Sequence, residues 1–376
     1  MLAKSILIIF LGLFISVPAF GKQYWPTTEW KISSPQSQDF DPKSIQEMFE
    51  FIRKKQFPID SVVIVKNGYL IGEFYSNNTN EHTLSNIYSV TKSFTSALVG
   101  IAIDKGHIRS EKQRLGSIFL KNNVIKNNSK LKDIKVHNLL TMTSGLKTRD
   151  NHLSNYAGVF ALRNSKNWVD FIFSLGTEKK QGEYYNYSNG GSHILAAILA
   201  EITEFSVEKY AERHLFSYIG IKHYKWEKDP QGINHGYSNL ELSARDMAKL
   251  GLLYLNKGKW DQKQIISSSW IEKSLKTHSY PNRGRFNPLK LYPFNGYGYQ
   301  WWSSKTAWKA DLSYRKAWEL GNNSVEQPEY FLALGYEGQY VFILPDQNMV
   351  VTFKSQFEKA RDILIPKALI EEFVLN

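Results

Sequence analysis

Ser89 and Lys92 stand three residues apart in the stretch Asn86-Ile87-Tyr88-Ser89-Val90-Thr91-Lys92-Ser93-Phe94-Thr95-Ser96-Ala97-Leu98-Val99-Gly100. A small polar cluster here runs into an apolar segment at helical spacing, which predicts Ser89 in the first turn of a helix whose far end is buried. Residues three apart share a helix face, so the amine of Lys92 can reach the Ser89 hydroxyl and take its proton, a nucleophile with its base. The helix N-terminus adds positive potential where an oxyanion would develop. The same Ser-x-x-Lys spacing recurs at Ser129/Lys132, Ser144/Lys147 and Ser313/Lys316. Ser129 lies in a run of Lys and Asn without an apolar face, Ser144 is followed by the helix stopper Gly145, and Ser313 sits in a charged, Trp-rich stretch. Ser89 alone opens a long small-residue helix.

A serine–lysine pair needs a further polar group to relay the proton to the leaving group. Tyr187-Ser188-Asn189 ends a polar, glycine-flanked loop that starts at Gly182, and an apolar helix follows at once. Tyr-x-Asn also occurs at Tyr75, Tyr184, Tyr237, Tyr254 and Tyr280, so context selects Tyr187 where the pattern does not. The plain alternative for any one of these tyrosines is a surface or core aromatic. Either Lys92 or Tyr187 can take the first proton.

The elements that must position these groups follow from periodicity. Asp41-Pro42 opens a helix through Ile52 with Ile45, Met48, Phe49 and Ile52 on one face. Ser61–Lys66 and Tyr69–Tyr75, joined by Asn67-Gly68, read as a β-hairpin. From residue 106 to about 240 the chain reads mainly helical, including a short helix from Val136 into a turn at Gly145 and helices over 193–203 and 207–216, and another helix follows over 243–256. Strands return at Tyr297–Trp302, Tyr330–Leu334, Gln339–Leu344 and Met349–Phe353, and a helix over 363–374 closes the chain. This order predicts an α/β (α+β) fold in which one antiparallel sheet, flanked by helices, is completed by both chain ends. The expected division is a discontinuous α/β subdomain of 22–105 and 241–376 around a mainly helical subdomain of 106–240.

At 376 residues, 42% hydrophobic and 22% charged, the chain has the size and composition of a globular protein with a substantial core. Residues 1–21 differ: Lys4 precedes the apolar run Ile6–Val17, and Ala19-Phe20-Gly21 offers a cleavage point, so this segment reads as a signal peptide. With no cysteine there is no disulfide framework, and export without disulfides suits a bacterial periplasm or the exterior. The net charge of +12 is spread over the chain, with one dense patch from Lys121 to Lys135, and lacks the aromatic interleaving of a single-strand binding groove. It implies weak attraction to an anionic envelope surface and no nucleic-acid partner. The nine histidines show no metal-ligand spacing, and Gly-x-Ser-x-Gly is absent; neither a metal, another cofactor nor a Ser-His-Asp triad is expected.

Together these residues resemble the serine β-lactamase and penicillin-binding-protein superfamily. The similarity is to the branch holding class C β-lactamases, D-alanyl-D-alanine carboxypeptidases, family VIII esterases and 6-aminohexanoate-dimer hydrolases. It covers most of the chain in order: Ser89-Val90-Thr91-Lys92, the segment His137–Leu146, Tyr187-Ser188-Asn189-Gly190, Leu242-Ser243-Ala244-Arg245-Asp246, Tyr297-Gly298-Tyr299 and Gly338-Gln339-Tyr340. The resemblance implies a β-lactamase-like fold, Ser89 as the acylated nucleophile, Lys92 as its activating amine, Tyr187 as proton relay and Asn189 as a substrate contact. It matches the third motif, Lys-Thr-Gly in the superfamily, to Tyr336-Glu337-Gly338, with the backbone N–H groups of Ser89 and Gln339 as the oxyanion hole and Gly338 allowing close approach.

Here the chain departs from the pattern. A Lys-Thr pair grips a substrate carboxylate, whereas tyrosine and glutamate do not match that grip and an ionised Glu337 repels the carboxylate. The expected activity is therefore hydrolysis of a small-molecule ester or amide through an acyl-enzyme, nearer the esterase and aminohexanoate-hydrolase branches than an efficient β-lactamase. The competing readings are a non-catalytic envelope-binding protein on the same fold and a peptidase or amidase for cell-wall D-amino acid peptides. The insertion over 303–328, with Trp308, Tyr314 and Trp318, reads equally as a lid or a surface excursion.

Overall fold

The computed structural model describes residues 23–76, 78–148, 157–281, 296–304, 315, 318–320, 328–359 and 362–375. The expected signal peptide, Trp308 and Tyr314 lie outside them.

Helix α1 (Pro42–Lys55) starts where its sequence predicts. The Asp41 carboxylate accepts from the Lys43 amide at 3.0 Å, and Pro42 supplies a helical φ where no N–H is needed. Strands β1 (Ile59–Lys66) and β2 (Tyr69–Tyr75) pair antiparallel through Asn67 (φ 52°) and Gly68 (φ 84°), the two left-handed residues such a turn demands. The chain continues through β3 (Ser85–Asn86), α2 (Thr91–Asp104), α3 (Asn123–Lys126), α4 (Ser129–Asp133), α5 (Val136–Leu140), α6 (Ala157–Arg163), α7 (Trp168–Ser174), α8 (Asn189–Thr203), α9 (Val207–Ala211), α10 (Ser217–Ile219), β4 (Lys225–Trp226) and β5 (Leu240–Leu242). It finishes with α11 (Ala244–Leu255), β6 (Lys259–Trp260), β7 (Lys263–Gln264), α12 (Ser268–Leu275), β8 (Gly296–Tyr297), β9 (Trp302–Ser303), β10 (Phe331–Gly335), β11 (Gln339–Leu344), β12 (Met349–Ser355) and α13 (Ile365–Phe373).

The main sheet runs β2-β1-β12-β11-β10-β9-β8, antiparallel throughout. Because β1 pairs with β12, both ends of the chain complete it, as the order of predicted elements implied. Alternate side chains feed two cores. Val62, Ile64, Tyr340 and Phe342 pack with Ile45, Met48 and Ile52 of α1 and with Leu369 of α13, while Val63, Val65, Val341 and Ile343 face the helical side with α2, α8 and α11. Gly251 lets α11 press onto that face: a Cβ there would stand 2.6 Å from a Val350 methyl.

One strand differs from expectation. Tyr297–Trp302 is two short strands, β8 and β9, joined by a turn in which the Gly298 amide donates to the Trp301 carbonyl at 2.8 Å and Gln300 takes φ 64°. Aromatic alternation predicted a straight strand, but buried Gln300 anchors the turn by donating to the carbonyls of Leu139 (3.2 Å) and Leu140 (2.8 Å). In the insertion, Arg315 is fully buried and pairs with Glu371 at 3.2 Å and with Glu372. Trp318 and Leu320 join the core around α1 and α13, so this part of the insertion is anchored there.

Candidate active site

The short β3–β5 pairing fixes the chain just before Ser89. The Asn86 side-chain oxygen accepts from the amides of Tyr88 (2.7 Å) and Asn239 (3.1 Å), and Tyr88 is held at φ 45°. A left-handed non-glycine residue costs on the order of 1 kcal/mol and persists only where neighbours enforce it. Ser89 then occupies a 3₁₀ turn, Tyr88–Val90, that leads directly into α2. It therefore sits just ahead of the α-helix and not within its first α-turn, still in the positive field of the helix N-terminus.

Lys92, the second residue of α2, is 1% exposed. Its Nζ donates to Ser89 Oγ at 2.8 Å, to Asn189 Oδ1 at 2.8 Å and to the Tyr237 carbonyl at 3.0 Å. A buried ammonium without such acceptors would be strongly disfavoured. Two phenol rings flank it, Tyr187 with its centroid 4.8 Å from Nζ and Tyr237 at 5.6 Å. The acceptors at Asn189 and Tyr237 take two of the amine's hydrogens, so its third direction faces Ser89 with an N–H in the ammonium or a lone pair in the amine.

Tyr187 reaches this place because its loop is pinned from below. Met142, at φ 58°, accepts the Asn186 amide on its carbonyl (2.7 Å) and the Ser188 amide on its sulfur (3.2 Å). Ser188 then caps α8 by accepting from the Gly191 amide at 2.7 Å, which leaves Asn189 as the first helical residue beside Lys92. The Tyr187 ring, half-buried, stacks on Trp302 with centroids 6.3 Å apart and an 18° interplanar angle. The segment after His137 thus matters as the support of this loop.

The competing Ser-x-x-Lys pairs lie elsewhere. Ser129 and Lys132 are exposed on α4, Ser144 is buried while Lys147 is exposed, and Ser313/Lys316 fall outside the described residues. Among the tyrosines, Tyr237 was set aside on context, yet it is in the site: its carbonyl holds Lys92 and its ring, 2% exposed, stacks on His235 at 5.7 Å. Its Tyr-x-Asn spacing was the signal available, and nothing local in sequence tied it to α2. Gln300, which the sequence did not mark, braces the floor: it accepts from Ser192 on its side chain (2.8 Å) and from Ser93 on its carbonyl (2.8 Å).

The third motif lies elsewhere than the resemblance implies. Gly338, which the resemblance implies allows close approach to the substrate, has φ 88° and faces Phe357, whose ring a Cβ would meet at 2.6 Å. Gly335, at the end of β10, is the glycine against Ser89: a Cβ there would lie 3.2 Å from the Ser89 amide nitrogen and 2.6 Å from the Ile87 carbonyl oxygen. The end of β10, rather than the residue before β11, comes up against the backbone of Ser89. Gln339 is the cross-strand partner of Gly335, with its side chain donating to the Ser355 carbonyl at 2.6 Å. Between them, Tyr336 is exposed and packs edge-on to Tyr88 at 5.6 Å, and Glu337, at φ 62°, accepts from the Tyr88 hydroxyl at 2.9 Å. A carboxylate therefore stands beside the residue that precedes Ser89.

Comparison with known proteins agrees with this architecture. The family model described as Beta-lactamase matches residues 45–368. A 6-aminohexanoate-dimer hydrolase of Paenarthrobacter ureafaciens is 20% identical over 321 residues, 78% of this chain and 71% of the relative. Among solved structures, the fold is shared with a class C beta lactamase from Rhodobacter sphaeroides, with a TM-score of 0.61, 16% identity and coverage of 88% of this chain and 99% of the other. It is shared also with EstCE1, a hydrolase with promiscuous acyltransferase activity, with a TM-score of 0.64, 13% identity and coverage of 88% and 97%.

Proposed function

Since the chain belongs to the Beta-lactamase family, we propose that it is a serine hydrolase that cleaves small ester or amide substrates through an acyl-enzyme on Ser89. The observation that carries this reading is the contact of a buried lysine, 1% exposed, with a serine hydroxyl at 2.8 Å. Lys92 takes the Ser89 proton as Oγ adds to the substrate carbonyl. The developing oxyanion is met by the Ser89 N–H and by an N–H from the hairpin end between Gly335 and Gln339, with the α2 N-terminus behind them. The tetrahedral intermediate collapses, and Tyr187 passes the proton held at Lys92 to the departing alkoxide or amine. Water, deprotonated by the same pair, then adds to the acyl carbon, and Ser89 Oγ leaves with the proton returned.

Glu337 shapes the choice of substrate. With its carboxylate beside Tyr88, the site disfavours acyl donors that carry an anion near the scissile bond, as β-lactams and peptides with a free terminal carboxylate do. Neutral esters and amine-bearing amides are the better fit, the latter including cell-wall D-amino acid peptides cleaved at a bond remote from any free carboxylate. Export, proposed from the character of residues 1–21, would bring the enzyme to such material; sequencing the N-terminus of the exported protein tests this.

The function is tested by measuring hydrolysis of p-nitrophenyl butyrate and of a chromogenic cephalosporin, each beside Ser89→Ala. Ester turnover that disappears in the variant, with the cephalosporin barely touched, is expected. An ester rate unchanged in Ser89→Ala removes Ser89 from the chemistry, and no turnover of either compound favours an envelope-binding role.

A further inference from the structure

Helix α8 carries two polar side chains one turn apart on the face packed toward Lys92, Asn189 and His193. His193 and its partner Asp229 are both fully buried, with Nε2 to Oδ2 at 3.0 Å. The second Asp229 oxygen accepts the amides of Gln231 (2.8 Å) and Ile233 (2.9 Å), which folds the loop between β4 and β5 around the carboxylate. Burial alone would raise its pKa, but the His193 hydrogen bond and these amides hold it below the ordinary value. On the other edge of the imidazole, the Gly236 N–H points at Nδ1, 3.5 Å away. The Gly236 N–H makes Nδ1 the acceptor and leaves Nε2 to face Asp229.

The residue so held leads directly to the site. Gly236 lies on the backbone of α8, where a Cβ would stand 2.3 Å from the Ser192 carbonyl, and its own carbonyl accepts from Thr95 Oγ1 of α2 at 3.0 Å. The next residue is Tyr237, whose carbonyl takes the Lys92 hydrogen at 3.0 Å. We propose that His193, backed by Asp229, is a positioning residue for the hydrolase reaction: by gripping Gly236 against α8 it aims the Tyr237 carbonyl at Lys92 and so orients the amine toward Ser89. This rests on the serine hydrolase reading above. A dyad that merely filled the core would support stability without affecting the lysine's geometry.

Two substitutions separate the two edges of the ring. His193→Asn keeps an acceptor near Nδ1 for Gly236 and gives up Asp229, whereas His193→Gln reaches Asp229 and gives up Gly236. With p-nitrophenyl butyrate, His193→Gln lowers kcat about tenfold at unchanged KM, while His193→Asn keeps most of kcat. Thr95→Val, close to isosteric, removes the other tether of Gly236 and lowers kcat in the same manner; it decides the matter alone if the His193 variants fail to fold. An active wild type with His193→Gln and Thr95→Val at its kcat overturns the positioning role and leaves the hydrolase reading intact. A wild type without Ser89-dependent turnover sinks the hydrolase reading and this role with it.

Discussion

Gly335 and Ser89 lie back to back: the end of β10 approaches so closely that a single methyl on Gly335 would stand 3.2 Å from the Ser89 nitrogen and 2.6 Å from the Ile87 oxygen. The second of these is a backbone contact that real Cβ atoms do not make, so any side chain there moves the strand off Ser89. Gly335→Ala should lower kcat for p-nitrophenyl butyrate by about tenfold or more, because an oxyanion donor displaced by a fraction of an ångström loses much of its effect. Steady-state kinetics beside a melting curve checks this. A variant with wild-type kcat would show that the β10–β11 hairpin end does not line the reacting carbonyl.

Two tyrosines flank Lys92, and the account assigns them different work. Tyr187 is half-buried with its ring on Trp302, whereas Tyr237 is 2% exposed and offers Lys92 its carbonyl. Tyr187→Phe should therefore cost about 100-fold or more in kcat, the usual scale for a proton-transfer group. Tyr237→Phe keeps the carbonyl and should remain within a few-fold of wild type. Equal losses in both variants, or a loss confined to Tyr237→Phe, would transfer the relay role.

The same pair of tyrosines shows what could and could not be read from sequence. The start of α1, the Asn67-Gly68 hairpin and the return of strands at the chain's end are local signals and formed where their own residues asked for them, whereas α8, expected over 193–203, starts four residues earlier, after its Ser188 cap. Ser89 and Lys92 were readable for the same reason, since three residues within one helical turn fix their distance. Tyr237 and Gly335 were not: each meets the Ser89–Lys92 pair across more than a hundred residues, through a contact that no local pattern encodes. The Tyr297–Trp302 stretch failed by a different route, because a buried glutamine overrode an aromatic alternation that pointed to a straight strand.

Glu337 makes a prediction about charge. Glu337→Gln removes the carboxylate that accepts from Tyr88 and should raise kcat/KM for an ester carrying a carboxylate in its acyl part relative to its neutral analogue, by about three- to tenfold. The ratio of the two rates is the readout, since it cancels any general loss. A ratio that stays at its wild-type value would mean that Glu337 does not face the substrate.

Lys354 ties the sheet to the strands that lead into Ser89: its buried Nζ donates to the carbonyls of Ser85 (3.2 Å) and Leu242, joining β12 to β3 and β5. Burial pushes its pKa down to about 7 from 10.5, against the pull of Asp60, Glu241 and Asp246. Between these values the unfolded chain holds a proton that the folded one has released, so stability rises with pH across that window by up to about 1.4 kcal/mol per unit. Below the folded pKa both states are protonated and the dependence ends. Denaturant unfolding of wild type and Lys354→Met between about pH 7 and pH 9 should show the wild type gaining on the variant as pH rises. Parallel curves would contradict the assignment.

On the proposed mechanism, Ser89, activated by Lys92, forms a covalent acyl intermediate. Its most direct measurement is the intact mass of the protein after incubation with a p-nitrophenyl phosphonate, followed by mapping of the labelled peptide, for wild type, Ser89→Ala and Lys92→Ala. One phosphonyl group on Ser89 in the wild type, none in Ser89→Ala and a labelling rate lower by about 100-fold or more in Lys92→Ala is the predicted result. A wild type that stays unlabelled, or a label that persists in Ser89→Ala, would contradict it.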